Sequence, residues 1–376
     1  MAEMTNPDTN QDCSEDLAAQ VRECYAANAE LEVGATSRPH LVVGGNGSRV
    51  ALGMPGDATL MLGAHRGIID YQPEELTLRA RAGTLLSELE TLLAENNQCF
   101  AAEIPQPSPQ STLGGAIACG WDGPSRAFGM ALRDSLLGCR LINGRGEIVN
   151  FGGQVMKNVA GYDLARLQVG ALGTLGAILD VTLRLQPRAE HTTSVSFVVE
   201  PDALGQWWQR TRNLRPLLTG TCYLEGRLYL RISGRAIAVQ DLLTQLGGDA
   251  TDFDWTALTN LQLPFFCSER LACVQVPRYA RLPVTTGRAL IEWEGARVWV
   301  RDGDHHGLAR AAADLGGFVQ VLRGPLVSAQ ADAPEWHRAL RDALDPRGLF
   351  NPVQFQTRFC STDVSPEHVA DGVGHE

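Results

Sequence analysis

Three glycine-rich segments follow one another between residues 44 and 178, each at a junction between a strand and a turn or helix. The first, Gly44-Gly45-Asn46-Gly47-Ser48, runs straight out of Pro39-His40-Leu41-Val42-Val43, an apolar stretch of buried-strand type. Glycines there permit positive φ and close approach, so bare amides can face a phosphate; the same residues also suit an ordinary strand-to-strand turn. The second spans Thr112 to Gly120, with the Thr112 hydroxyl ahead of Gly114 and Gly115. It reads either as backbone pressed against a flat or charged ligand or as a close helix–sheet contact. The third runs from Gly161-Tyr162-Asp163-Leu164 through Gly170, Gly173, Gly176 and Ile178, as turn punctuation or as the far wall of a site. Singly each is ordinary; in order, they point to one ligand held between them. That ligand is not placed by a Rossmann fingerprint, because Gly45-Asn46-Gly47 continues as Ser48-Arg49-Val50. Nor is there a lysine-ended phosphate loop, since the only lysine, Lys157, follows Met156.

The elements around these segments predict an α+β chain. Residues 14–28 read as a helix with Ser14 as its cap, 59–62 and 76–82 as strands, and Thr84 as the cap of a helix carrying Leu85, Leu89, Leu92 and Leu93. A hairpin is expected over 136–142 and 147–151, a helix ending near Gly170, and an alternating strand over 178–185. Past about residue 190 the pattern changes to strand 194–199, helix 202–214, a hairpin turning at Glu225-Gly226 and helix 236–246. A second hairpin at Glu294-Gly295, helix 306–315, strand 318–322 and helix 335–344 follow. This is an antiparallel sheet with helices on one face.

Acidic side chains outnumber basic ones 43 to 32, for a net charge of -11, which argues against a nucleic-acid binder. The nine cysteines contain no C-x-x-C pair, so neither a zinc site nor an iron–sulfur cluster of the chain's own is expected, and the thiols read as reduced in the cytoplasm. Residues 1–16 are polar, without the apolar core of an export signal. The uncharged run 104–121 holds Pro105, Pro107 and Pro109 and reads as a loop, not a membrane span.

Together the three segments resemble the flavin-binding domain of the p-cresol methylhydroxylase (PCMH)/vanillyl-alcohol oxidase family. Thr112, Gly114, Gly115, Ala118 and Gly120 match T-x-G-G-x-x-A-x-G. Lys157, Asn158, Gly161, Tyr162, Asp163 and Leu164, then Gly170, Gly173, Gly176 and Ile178, match the next block. Asp345-Pro346…Gly348-Leu349-Phe350-Asn351-Pro352 is similar to the closing motif. Within that family the chain is most similar to the FAD-binding (E-type) subunits of bacterial glycolate oxidase/dehydrogenase, from about residue 36 to 356. The resemblance implies a PCMH-type two-lobed FAD-binding domain over 36–188, after an extension and helix at 1–35. A cap domain follows at 189–344, then a closing segment at 345–360 and a disordered tail at 361–376.

It implies FAD held by Gly44, Gly45, Asn46, Gly47, Ser48, Pro105, Thr112, Gly114, Gly115, Cys119, Gly120, Lys157, Gly161, Tyr162, Gly173, Gly176 and Ile178. Lys157 reads equally as a surface residue, Tyr162 as a buried support of the helix entry, and Cys119 as a small packing residue. No histidine, cysteine or tyrosine lies between Leu41 and Ala64, so the flavin is expected to be non-covalent. The implied activity is oxidation of glycolate or D-lactate within a complex. A second FAD-binding subunit and an iron–sulfur subunit are the implied partners, and any membrane attachment is through them. The rival readings are a self-sufficient FAD-dependent 2-hydroxyacid dehydrogenase and a largely structural flavin-fold subunit. Two departures stand out: Val353 replaces the usual glycine of the closing motif, and the H-x-G-D-G-N-x-H metal motif of catalytic relatives is missing. Asp304-His305-His306-Gly307 reads as a helix start, so no metal ligands are expected and no catalytic residue is assigned. Arg231, Arg288, Arg297 and Arg301 are either solvated surface or a clamp for a substrate carboxylate.

Overall fold

The computed structural model describes residues 10–29, 38–49, 58–153, 164–214, 216–280, 282, 288–324 and 334–360. The expected tail at 361–376 lies outside them. The flavin-type half contains two sheets. In the smaller, Val43–Gly44 pairs in parallel with Leu60–Met61. In the larger, the order is Ile68–Gln72, Thr77–Arg81, Ala177–Pro187, Leu136–Ile142, Ile148–Gly152, and Gln98–Phe100 adds to Ala177–Pro187. That long strand is buried without interruption from Ala177 to Leu183, where alternation was expected. It is central, with partners on both sides and both faces covered, so neither face is free for polar residues. Its one buried carboxylate, Asp180, is ion-paired by Arg79 Nε at 2.8 Å and Arg140 Nε at 2.6 Å. Leu113 and Ile117 of the helix Leu113–Cys119 join the same core as Leu179, Val181 and Phe350.

Two expected caps are corrected. Ser14 is the first residue of the helix Ser14–Ala29, and Asp12 Oδ1 accepts from its backbone N–H at 3.0 Å and its hydroxyl at 2.6 Å. Thr84 does not cap the helix Leu86–Glu95; its hydroxyl accepts from Gly67 N–H at 2.9 Å instead. Of the helix expected before Gly170, the described part is one 3-10 turn, Arg166–Gln168.

The cap is an eight-stranded sheet, and every neighbouring pair in it is antiparallel. The helices Leu204–Thr211, Ala236–Leu246 and His305–Asp314 pack on one face, through Trp208, Val239 and Ala312. Alternate residues of the same strands, Cys222, Cys273, Leu290 and Trp299, point to the other face. That face meets Cys119 and Trp121 of the flavin half, with the short helix Trp255–Thr259 and Phe265–Phe266 beside them. Asp304 Oδ1 accepts from His306 N–H at 3.1 Å, so Asp304-His305-His306 does start a helix. No helix among the described residues is long and apolar enough to cross a membrane.

Candidate functional site

The glycine segments meet because side chains would keep them apart. A Cβ on Gly44 would lie 2.6 Å from Ala58 Cβ, and one on Gly45 2.5 Å from Thr112 Oγ1. Thr112 caps its helix by accepting from Gly115 N–H at 3.3 Å, and Gly120 ends it in the left-handed region at φ 69°. The helix is hung on the strand edge by Leu113 N–H to Thr84 O (2.9 Å) and Gly114 N–H to Ala82 O (2.8 Å). At Gly114 a Cβ would meet Ala82 Cβ at 2.5 Å, so the close helix–sheet contact is real at this position. The third segment is joined to the second by Gly170 N–H to Ile117 O (3.0 Å) and Leu172 N–H to Ala118 O (2.8 Å).

Two adjoining cavities lie between these segments and share Gly44, Gly45, Thr112 and Gly115. The narrower, about 30 Å3, is also lined by Gly114, Gly173, Gly176 and Ile178 together with Val43, Leu62, Ala82 and Ala118. The wider, about 170 Å3, runs along Asn46, Gly47, Ser48 and Arg49. The structure therefore brings eleven of the expected residues, Gly44 to Ser48, Thr112, Gly114, Gly115, Gly173, Gly176 and Ile178, to one slot. Its walls are glycine, alanine and small polar side chains, which suit a thin ligand with an apolar plane and an anionic end.

Three expected residues stand just behind the slot. Pro105 O accepts from Arg49 Nη2 at 2.5 Å. Cys119 is buried with Trp121 and Trp299, and burial pushes its thiol up to about 11 against the opposing charges of Arg49 and Arg358. At Gly120 a Cβ would meet Gly170 Cα at 2.6 Å, which makes it a backbone contact rather than a lining residue. Lys157, Gly161 and Tyr162 lie outside the described residues.

Two residues of the site were not anticipated. Arg49, 3 % exposed, directly follows the first glycine segment. Asn351, fully buried, accepts from Val43 N–H at 2.7 Å and donates to Leu172 O at 2.6 Å, which ties the first segment to the third. Its place in the closing motif was the available signal. Val353 is 64 % exposed in a helical turn and has no positive φ, so the geometry there requires no glycine.

Nearby ionisable groups hold the cap to this half. Arg231 donates to Glu103 through Nη1 (2.9 Å) and Nη2 (2.7 Å); Thr259 Oγ1 adds a third bond at 2.9 Å. Although burial works against it, these partners hold the Glu103 carboxyl below its usual range. Arg297 forks onto Glu292 at 2.9 and 2.8 Å and reaches Asp122 O at 2.5 Å. Trp293 Nε1 donates to Gly123 O at 3.2 Å, and Trp299 stacks on Trp121 at 5.3 Å. Arg231 and Arg297 are thus neither surface residues nor a free carboxylate clamp. Arg288 donates weakly to Asp302 O at 3.4 Å, and Arg301 lies over Phe265. Asp122 is pushed up to about 6 by burial, opposed by the Leu132 N–H it accepts at 2.7 Å and by Arg126 and Arg297.

A family model described as an FAD binding domain matches residues 13–152. The glycolate oxidase subunit GlcE of Escherichia coli (strain K12) is 35% identical over 348 residues, which cover 88% of this chain and 98% of that protein. The glycolate oxidase subunit GlcD of Bacillus subtilis (strain 168) is 29% identical over 163 residues, 43% of this chain and 34% of that protein. Among solved structures, an alkyldihydroxyacetonephosphate synthase superimposes with a TM-score of 0.59 at 13% identity, covering 90% of this chain and 74% of that one. At that identity the likeness concerns the fold alone.

Proposed function

This chain belongs to the family of the glycolate oxidase subunit GlcE and is an FAD-dependent oxidoreductase subunit, and from that premise we propose its place in a larger enzyme. It serves as one flavin-binding subunit of a complex that oxidises glycolate, or D-lactate, to the 2-oxo acid. A second FAD-binding subunit works beside it, and an iron–sulfur subunit takes the electrons. The carrying observation is the 35% identity to GlcE across nearly all of that protein's length. The complex is placed in the cytoplasm, with any membrane attachment through its other subunits.

When bound, FAD supplies an acceptor for the two electrons removed from the alcohol carbon. The residues proposed to hold it are those of the slot, with the amides of Gly44 to Ser48 toward its diphosphate and Gly114, Gly115, Gly173 and Gly176 against its flat part. Thr112 fixes the helix that presents Gly114 and Gly115, and Asn351 holds the first and third segments at their spacing. The commitments of Arg231 to Glu103 and Arg297 to Glu292 favour a subunit over a self-sufficient dehydrogenase, because neither arginine is left for a substrate carboxylate. The nine dispersed cysteines give the chain no cluster motif of its own, so an iron–sulfur partner is the natural exit for electrons.

The test is dichlorophenolindophenol reduction with glycolate or D-lactate by the flavin-loaded chain alone and by the co-expressed complex. Turnover that appears only with the partners is expected. Robust turnover by the isolated chain would sink the subunit reading.

A further inference from the structure

Among the described residues, no carboxylate pairs with the guanidinium of Arg49. Its Nη2 is spent on Pro105 O, while Nε and Nη1 are buried with no oxygen acceptor among the described residues. Among the described residues, the side chain that acts on the guanidinium is the Cys119 thiol, which burial keeps protonated. An ionised guanidinium buried without an acid is costly unless an anion completes it. The group lines the wider cavity, beside the glycine amides of Gly44 to Ser48.

We propose that Arg49 is a cationic anchor for the diphosphate of FAD, so that the site selects the dinucleotide over the bare ring. A guanidinium fork matches phosphate oxygens in a way a thiol cannot. The proposal rests on the flavin reading of the slot, whose own failure would show as no FAD bound by the unaltered chain.

The experiment measures binding of FAD, riboflavin and ADP to the full-length apo-chain by flavin fluorescence and competition. Unaltered chain is expected to bind FAD far better than riboflavin, with ADP competing and added salt weakening FAD but not riboflavin. Arg49→Met should cost FAD about 100-fold in affinity and abolish ADP competition, with riboflavin unchanged. Arg49→Lys should keep part of the ADP competition. Equal loss of FAD and riboflavin in Arg49→Met would overturn the proposal, by placing the cation against the ring. Salt-independent FAD binding, or equal FAD and riboflavin affinity in the unaltered chain, would overturn it even if Arg49→Met fails to fold.

Discussion

Asn351 gives both ends of its amide to backbone groups on two different segments, from a left-handed conformation at φ 41° that asparagine tolerates better than most residues. Leucine there would strand a buried N–H on Val43 and a buried carbonyl on Leu172, each costing about 1–3 kcal/mol. Asn351→Leu is therefore expected to lower the urea midpoint and to purify with little flavin; a variant with normal midpoint and flavin would show that the tie is dispensable. Asp122 gives a prediction of opposite character. Its folded pKa is raised, so between about pH 4 and 6 the folded chain holds a proton that the unfolded chain has released, and this group's contribution falls as pH rises. Asp122→Asn should gain on the unaltered chain across that window by on the order of 1–3 kcal/mol. Urea midpoints of both at pH 4.5, 5.5 and 6.5 check it; a constant difference would mean the burial is not felt. At this scale the glycines were legible in the sequence, because their spacing is their function. Arg49 was not, because nothing in Gly47-Ser48-Arg49 says that this side chain turns inward to Pro105.

The helix Leu113–Cys119 is the element on which the slot depends, and its two glycines do different work. Gly114 faces Ala82 so tightly that even a methyl group must move backbone, whereas a Cβ on Gly115 would sit 3.0 Å from the Thr112 hydroxyl, at the slot itself. Gly114→Val is expected to shift the helix off the strand edge and empty the site, with the cap still folded. Gly115→Ala should keep the fold and lower flavin content more mildly. Flavin content and near-ultraviolet dichroism of the two proteins check the order, and equal, full flavin in Gly114→Val would contradict it. The hairpins turning at Glu225-Gly226 and Glu294-Gly295 and the helix Ala236–Leu246 were readable from local pattern. The caps at Ser14 and Thr84 were not, because their hydroxyls and amides find partners chosen by tertiary packing. The strand Leu271–Gln275 was missed since its pairing with Arg297–Arg301 and Phe318–Arg323 is entirely long-range.

Across the whole molecule, the cap is fastened by Arg231, Arg297 and Trp293 to Glu103, Asp122 and Gly123, which flank the slot helix on its two sides. Cap position and slot geometry are thus mechanically joined. Arg231→Met leaves Glu103 buried and ionised, at a cost on the order of 3 kcal/mol, while the double change with Glu103→Gln should recover much of it. Thermal midpoints of the two variants check this, and purely additive losses would show that the pair is not coupled. The sequence carried this arrangement only as a surplus of cap arginines; their partners across the interface, Glu103 and the Asp122 carbonyl, lie more than a hundred residues away. The central claim is that the folded chain is a flavin carrier whose slot holds FAD without a covalent bond. The direct measurement is acid precipitation of the purified full-length chain, with flavin identified and quantified in supernatant and pellet. FAD in the supernatant, stoichiometric with protein, is the predicted result. A folded chain that neither carries nor takes up FAD, or flavin retained in the pellet, would contradict the account.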